Sequence, residues 1–200
     1  MELSSTEAVL LHSILHAGFA CAWGTLILVW IVGLPFSKRT ARSASYSSRL
    51  VLFVPFLAAY LLVIFGVVRL HWLVQSLWPH SLAVQAAGLA LTLLGCLFAI
   101  WARVTLGANW SGLPRVKQEH ELIVKGPYAL VRHPIYSGIL LALAGTGLAA
   151  DRGTWMFAWI LVTISYAVKI RQEERLMQET FPAAYPEYKQ RVKALIPGIL

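Results

Sequence analysis

Apolar positions in this chain fall into long unbroken runs, not the alternation of a half-buried strand or the stripe of a surface helix. Charge-free stretches run from Ala8 to Phe36, Leu50 to Val68, Leu82 to Ala102, Ile135 to Ala150 and Gly153 to Val168. Crossing a hydrocarbon core takes roughly 17 to 25 mostly apolar helical residues. The five runs therefore predict an all-α integral membrane protein of about five transmembrane helices. The last two runs are short and separated only by Asp151 and Arg152, which predicts a tight helical hairpin near the C-terminus.

Composition agrees: 58% of the residues are hydrophobic and 13% charged, more apolar than a soluble domain of this length requires. In such a chain the net charge of +8 speaks to loop orientation and not to nucleic acid. With the N-terminus outside, the basic residues from Lys38 to Arg49, from Arg103 to Arg132 and from Lys169 onward all lie on the cytosolic side, leaving Arg69 and Arg152 outside. Trp30, Trp101 and Trp110 then fall near the inner boundary and Trp72, Trp78 and Trp155 near the outer one, as interfacial belts do. Glu2 and Glu7, with no basic residue before the first run, argue against a cleaved signal peptide. Cys21 and Cys96 lie inside apolar runs and read as packing residues. Residues 1–102 carry three N-terminal spans. Residues 103–200 form a core of polar connector, hairpin and amphipathic tail within one membrane domain.

Gly138, Ala142 and Thr146 recur every fourth residue and put a small-residue stripe on the fourth span, suited to close helix packing. His12 and His16 share a face of the first span; with no third ligand nearby they read as a packed or interfacial pair, and no metal site is expected. Chemistry points instead to the inner segment leading into Arg132-His133-Pro134. Proline favours the first helical position and pushes the preceding residue to an extended conformation. The fourth span should thus begin at Pro134, with Arg132 and His133 at an anion-attracting helix mouth. Counting back equally from the hairpin turn sets His133 opposite about position 172, beside Glu173 and Glu174. Lys169, Arg171 and Arg175 come to the same depth, and the cluster reads either as a mixed-charge site or as a solvated helix end. Beyond Phe181, Tyr185, Tyr188, Val192 and Leu195 follow at helical spacing among Lys189, Arg191 and Lys193, an amphipathic segment suited to the inner leaflet or to a lid.

The stretch His120 to Tyr128, followed by Arg132-His133-Pro134-Ile135-Tyr136-Ser137-Gly138, Glu173-Glu174, Phe181, Tyr185, Tyr188-Lys189 and Ile196-Pro197, resembles the isoprenylcysteine carboxyl methyltransferase family. Asn109-Trp110-Ser111 looks like the short bacterial members. The resemblance implies a cytosol-facing pocket that binds S-adenosyl-L-methionine, in an enzyme of a bacterial inner membrane. Carried over, His120, Leu122, Ile123, Tyr128, His133, Tyr136 and Glu173 would line the cofactor, and Arg132, His133, Glu173 and Glu174 would form the catalytic cluster. Lys169 stands where eukaryotic members carry an arginine thought to grip the substrate carboxylate, so Lys169 and Arg171 are the expected substrate contacts. The acceptor would be a lipophilic molecule entering from the bilayer among membrane lipids: an isoprenylcysteine-like carboxylate or, alternatively, a phospholipid amine. Related membrane reductases that use a nicotinamide cofactor usually show Asn-Pro where this chain has His133-Pro134. A transport path would place polar residues mid-bilayer, where these spans are nearly bare. Acceptor and oligomeric state are left open by the residues.

Overall fold

In the first run nothing breaks the helix, and a single helix, α1 (Ser5–Gly33), forms across it. The structure is a computed structural model that describes residues 5–36, 40–43, 54, 57–58, 61, 78, 81–110, 115–117, 121–150 and 153–199. Ser81 caps α2 (Leu82–Leu106) by accepting a hydrogen bond from the Val84 amide. Gly107 then turns the chain out of α2 with φ of 54°, in the left-handed region that glycine tolerates. Helix α3 (Pro134–Ala150) starts at the predicted proline, and α4 (Gly153–Thr180) returns alongside it. A short α5 (Ala184–Arg191) follows. Of the second predicted span only Val54, Leu57, Ala58 and Leu61 are described, all helical; the hairpin turn at Asp151 and Arg152 lies outside the described residues.

Two helical stretches, Val9–Gly33 and Leu82–Asn109, are long and apolar enough to cross a membrane. Along α1, Val9, Leu10, Ile14, Leu28 and Ile31 point outward, a continuous apolar surface that water would not tolerate and lipid would. The helices pack through small residues. Gly88 faces Gly145 and Gly95 faces Gly138, so α2 and α3 run antiparallel with their backbones nearly touching. A Cβ on Gly95 would sit 2.5 Å from the Gly138 carbonyl oxygen. Buried Thr92 donates to the Gly88 and Ala142 carbonyls within the same seam, and Trp23 of α1 donates to Thr146. The small-residue stripe therefore acts in packing, as the spacing predicts.

The architecture is helical, as expected, with one addition: β1 (Thr40–Ser43) and β2 (Arg115–Lys117) pair as a short antiparallel ribbon between two polar connectors. One expectation needs correction: the helical spacing read through Val192 and Leu195 fails, because α5 stops at Arg191 and Val192 is extended. What wins there is main-chain pairing: Val131 and Lys193 form a parallel bridge, and the Arg132 and His133 amides donate to the Lys193 and Ala194 carbonyls at 2.8 and 3.0 Å.

Candidate active site

Helices α3 and α4, the 3-10 turn Gly126–Ala129 and the tail enclose a cavity of about 420 Å³, within the range of small-molecule sites. Pro134 fixes its polar end. With no amide of its own it opens α3, and Arg132 and His133 before it are held by the tail carbonyls, so both side chains are aimed at α4. Ser137 strengthens this join by donating to the Leu195 carbonyl at 2.7 Å.

The His133 ring lies between two carboxylates. Its Nδ1 is 3.7 Å from Glu173 and its Nε2 is 3.4 Å from Glu174. The equal count along the hairpin therefore brings together the residues it named. The two glutamates have different surroundings. Glu174 takes Arg132 at 2.5 Å and Lys189 at 2.7 Å, and the Arg132 guanidinium also donates to the Val192 and Lys189 carbonyls. Burial by itself would raise the Glu174 pKa, but hydrogen bonds from His133, Lys189 and Arg132 outweigh it and hold the carboxyl well below the usual range. Arg132 is thus committed to protein groups, and the anion at this helix mouth is Glu174 itself.

Glu173 faces the cavity and accepts from the Tyr136 hydroxyl at 2.6 Å. Tyr136 stacks on His133 on one side and on Tyr166 on the other, at centroid distances of 5.6 and 4.5 Å. The Lys169 ammonium stands 5.1 Å from the Tyr136 ring centroid and also lines the cavity. Leu122, Ile123 and Tyr128 also line the cavity. Burial, and then the nearby Glu173 charge, pushes the Tyr128 hydroxyl far above its ordinary pKa, so it is a neutral donor. Tyr188 donates to the Tyr128 carbonyl at 2.6 Å, and its own pKa is pushed up to about 12 by burial. Arg171 points to the exposed face of α4 and does not line the cavity; His120 lies outside the described residues.

Several cavity residues lie outside the site residues that the sequence points to: Trp30, Leu106, Asn109, Trp110 and Tyr166. Tyr166 was discoverable, since it lies two helical turns before Glu173 on the same face of α4. Trp30, on α1, was visible only as part of an interfacial belt. Among the described residues no group of three or more metal-ligating side chains occurs, and His12 and His16 form an exposed pair with nitrogens 2.9 Å apart.

Comparison with known proteins accords with this geometry. Residues 83–184 match the model of the phospholipid methyltransferase family. The chain is 29% identical over 141 residues to protein-S-isoprenylcysteine O-methyltransferase B of Arabidopsis thaliana, covering 69% of this chain and 66% of that protein. It is 32% identical over 134 residues to the protein-S-isoprenylcysteine O-methyltransferase of Saccharomyces cerevisiae, covering 62% of this chain and 54% of that one. The chain thus spans just under two thirds of the first relative and about half of the second. A solved eukaryotic intramembrane Ras methyltransferase, an isoprenylcysteine carboxyl methyltransferase, superposes with a TM-score of 0.50 at 22% identity, over 80% of this chain and 55% of that one. At that identity the likeness is one of fold. With its matched segment running from α2 through the hairpin to the start of α5, the chain belongs to the phospholipid methyltransferase family and, within it, is similar to the isoprenylcysteine O-methyltransferases.

Proposed function

We propose that this protein is a membrane-embedded methyltransferase that moves a methyl group from S-adenosyl-L-methionine to the carboxylate of a lipophilic, isoprenylcysteine-like acceptor. The observation that carries the reading is Glu173: a carboxylate at the cavity, oriented by Tyr136 and His133 and flanked by aromatic rings. These residues fit such a donor. Glu173 can accept from its ammonium or hydroxyl groups, and the Tyr166 and Tyr128 rings, which also line the cavity, are available to a cationic centre. When bound, the donor supplies an activated methyl group on a positively charged sulfur. The chain's own residues contribute positioning and exclusion of water, because an ionised carboxylate nucleophile needs no base and must only approach in line. Lys169, at the cavity edge, would orient the acceptor carboxylate.

In this reading the chain crosses a bacterial inner membrane five times, N-terminus outside and C-terminus in the cytosol, with residues 1–102 as anchor and 103–200 as catalytic core. Parity supports it. Arg103, in the last turn of α2, donates to the Gly33 carbonyl at the end of α1, so the two helices run parallel. That parallel arrangement supports an odd number of crossings between them. The β1–β2 ribbon likewise joins the two connectors that the charge distribution assigns to the cytosol.

The test is to titrate the purified protein with S-adenosyl-L-methionine and then follow labelled methyl transfer to N-acetyl-S-farnesylcysteine and, separately, to phosphatidylethanolamine vesicles. A carboxyl ester releases its label as methanol in base, whereas a methylated amine retains it. Glu173→Gln and His133→Ala should each lose donor binding. Wild-type affinity in both would overturn the site, and base-stable label confined to the vesicles would replace the acceptor with a lipid amine.

A further inference from the structure

Arg103 is a cation buried where α1 and α2 end, with only 4% of its surface exposed. Among the described residues no carboxylate lies within ion-pair distance of it. Its guanidinium donates to the Gly33 carbonyl at 2.8 Å and the Gly107 carbonyl at 3.0 Å, both at helix C-termini where partial negative charge collects. Its third contact is aromatic: Cζ stands 4.5 Å from the centroid of the Trp110 ring. Trp110 meets Trp30 edge to face at 6.3 Å, and both indoles line the cavity. The local sequence is built for this contact. A Cβ at Gly33 would overlap the guanidinium, and Gly107 supplies the turn that folds Trp110 back beneath it.

A purely structural staple between two helices needs only the carbonyl contacts. The stacking on Trp110 ties the staple to one wall of the cavity. That wall, with Leu106 and Ile139, is the apolar side, opposite Glu173 in character, and it includes a side chain of α1, whose outward face is apolar. Resting on the methyltransferase reading above, we infer that Arg103 is a positioning residue for acceptor recognition: it fixes the Trp110–Trp30 wall against which the acceptor's apolar chain packs, and leaves donor binding to the Glu173 side.

The experiment uses the full chain in lipid nanodiscs and measures two affinities separately, one for S-adenosyl-L-methionine and one for N-acetyl-S-farnesylcysteine, alongside thermal unfolding. Arg103→Met should weaken prenylcysteine binding by roughly three- to thirty-fold, the value of a desolvated cation–π contact, and leave donor affinity within about two-fold. Arg103→Lys keeps the charge without the planar stack and should fall between, which also guards against a Met variant that fails to fold. Trp110→Leu alone should weaken the acceptor, and adding Arg103→Met to it should weaken it little further, because both act through the same ring. Equal losses for donor and acceptor, or a lowered unfolding temperature with both affinities intact, would reduce Arg103 to a staple and overturn the proposal. A wild-type protein that binds neither ligand would instead bring down the methyltransferase reading, and this inference with it.

Discussion

Removing the Glu174 carboxylate should open the tail. In Glu174→Ala the Arg132 guanidinium, whose side chain is 8% exposed, loses its counter-ion while remaining buried. Breaking a buried pair from one side costs about 3 to 5 kcal/mol, since the surviving charge is left uncompensated. Lys189 adds less than about 1 kcal/mol because it is 41% exposed and water screens it. A shift of even 3 kcal/mol raises the open population more than about 100-fold. Limited trypsin digestion reads this directly at Arg191 and Lys193, since cleavage follows the open fraction when reclosing is fast. The double variant Arg132→Met with Glu174→Met should recover part of the loss, short of the roughly 1 kcal/mol for each carbonyl bond that Arg132 makes to Val192 and Lys189. Unchanged cleavage in Glu174→Ala, or a double variant as labile as the sum of its parts, would refute the account of Glu174 as the tail's anchor.

The same carboxylate sets an acid limit. Its folded pKa is depressed, so its contribution is complete above the ordinary carboxylate value of about 4.5 and is lost as pH falls from there through the folded value. Hydrogen-exchange protection of the Arg132 and His133 amides should therefore be flat from about pH 8 to 5 and decline below about 4.5; a decline centred near pH 6.5 would implicate an imidazole instead. In the α2–α3 seam, Gly95→Ala would force a methyl group to 2.5 Å from the Gly138 oxygen and 2.9 Å from the Ala142 Cα, backbone atoms that cannot step aside. A loss of about 1 to 3 kcal/mol or more is expected in thermal unfolding, whereas Gly24→Ala, with open space around it, should be neutral or slightly stabilising.

The parts of the fold governed by local rules were legible. Run length predicted α1 and α2, Pro134 predicted the start of α3, and equal counting along the hairpin set Glu173 and Glu174 beside His133. What escaped depends on distant main-chain pairing. Val192 and Leu195 sit at helical spacing from Tyr185 and Tyr188, yet the bare amides before Pro134 offer a better outlet for this segment than another helical turn. Periodicity cannot show a partner sixty positions away. Arg132 illustrates the same limit: the sequence showed a cation at a helix mouth, but not that Glu174 and the tail carbonyls would occupy its donors. Trp30 and Trp110 looked like interfacial anchors because a one-dimensional pattern records depth and not which indole turns inward.

The join between Val131–His133 and Lys193–Ala194 also sets an order of assembly. As the polypeptide leaves the ribosome, α1, α2 and α3 can all enter the translocon and find one another before residues 188 to 195 have been made. Until that stretch emerges, Glu174 lacks Lys189, the Tyr128 carbonyl lacks Tyr188, and the cavity lacks the Tyr188 side chain that lines it. A nascent chain stalled short of this point would be inserted and anchored, yet would lack a finished cavity.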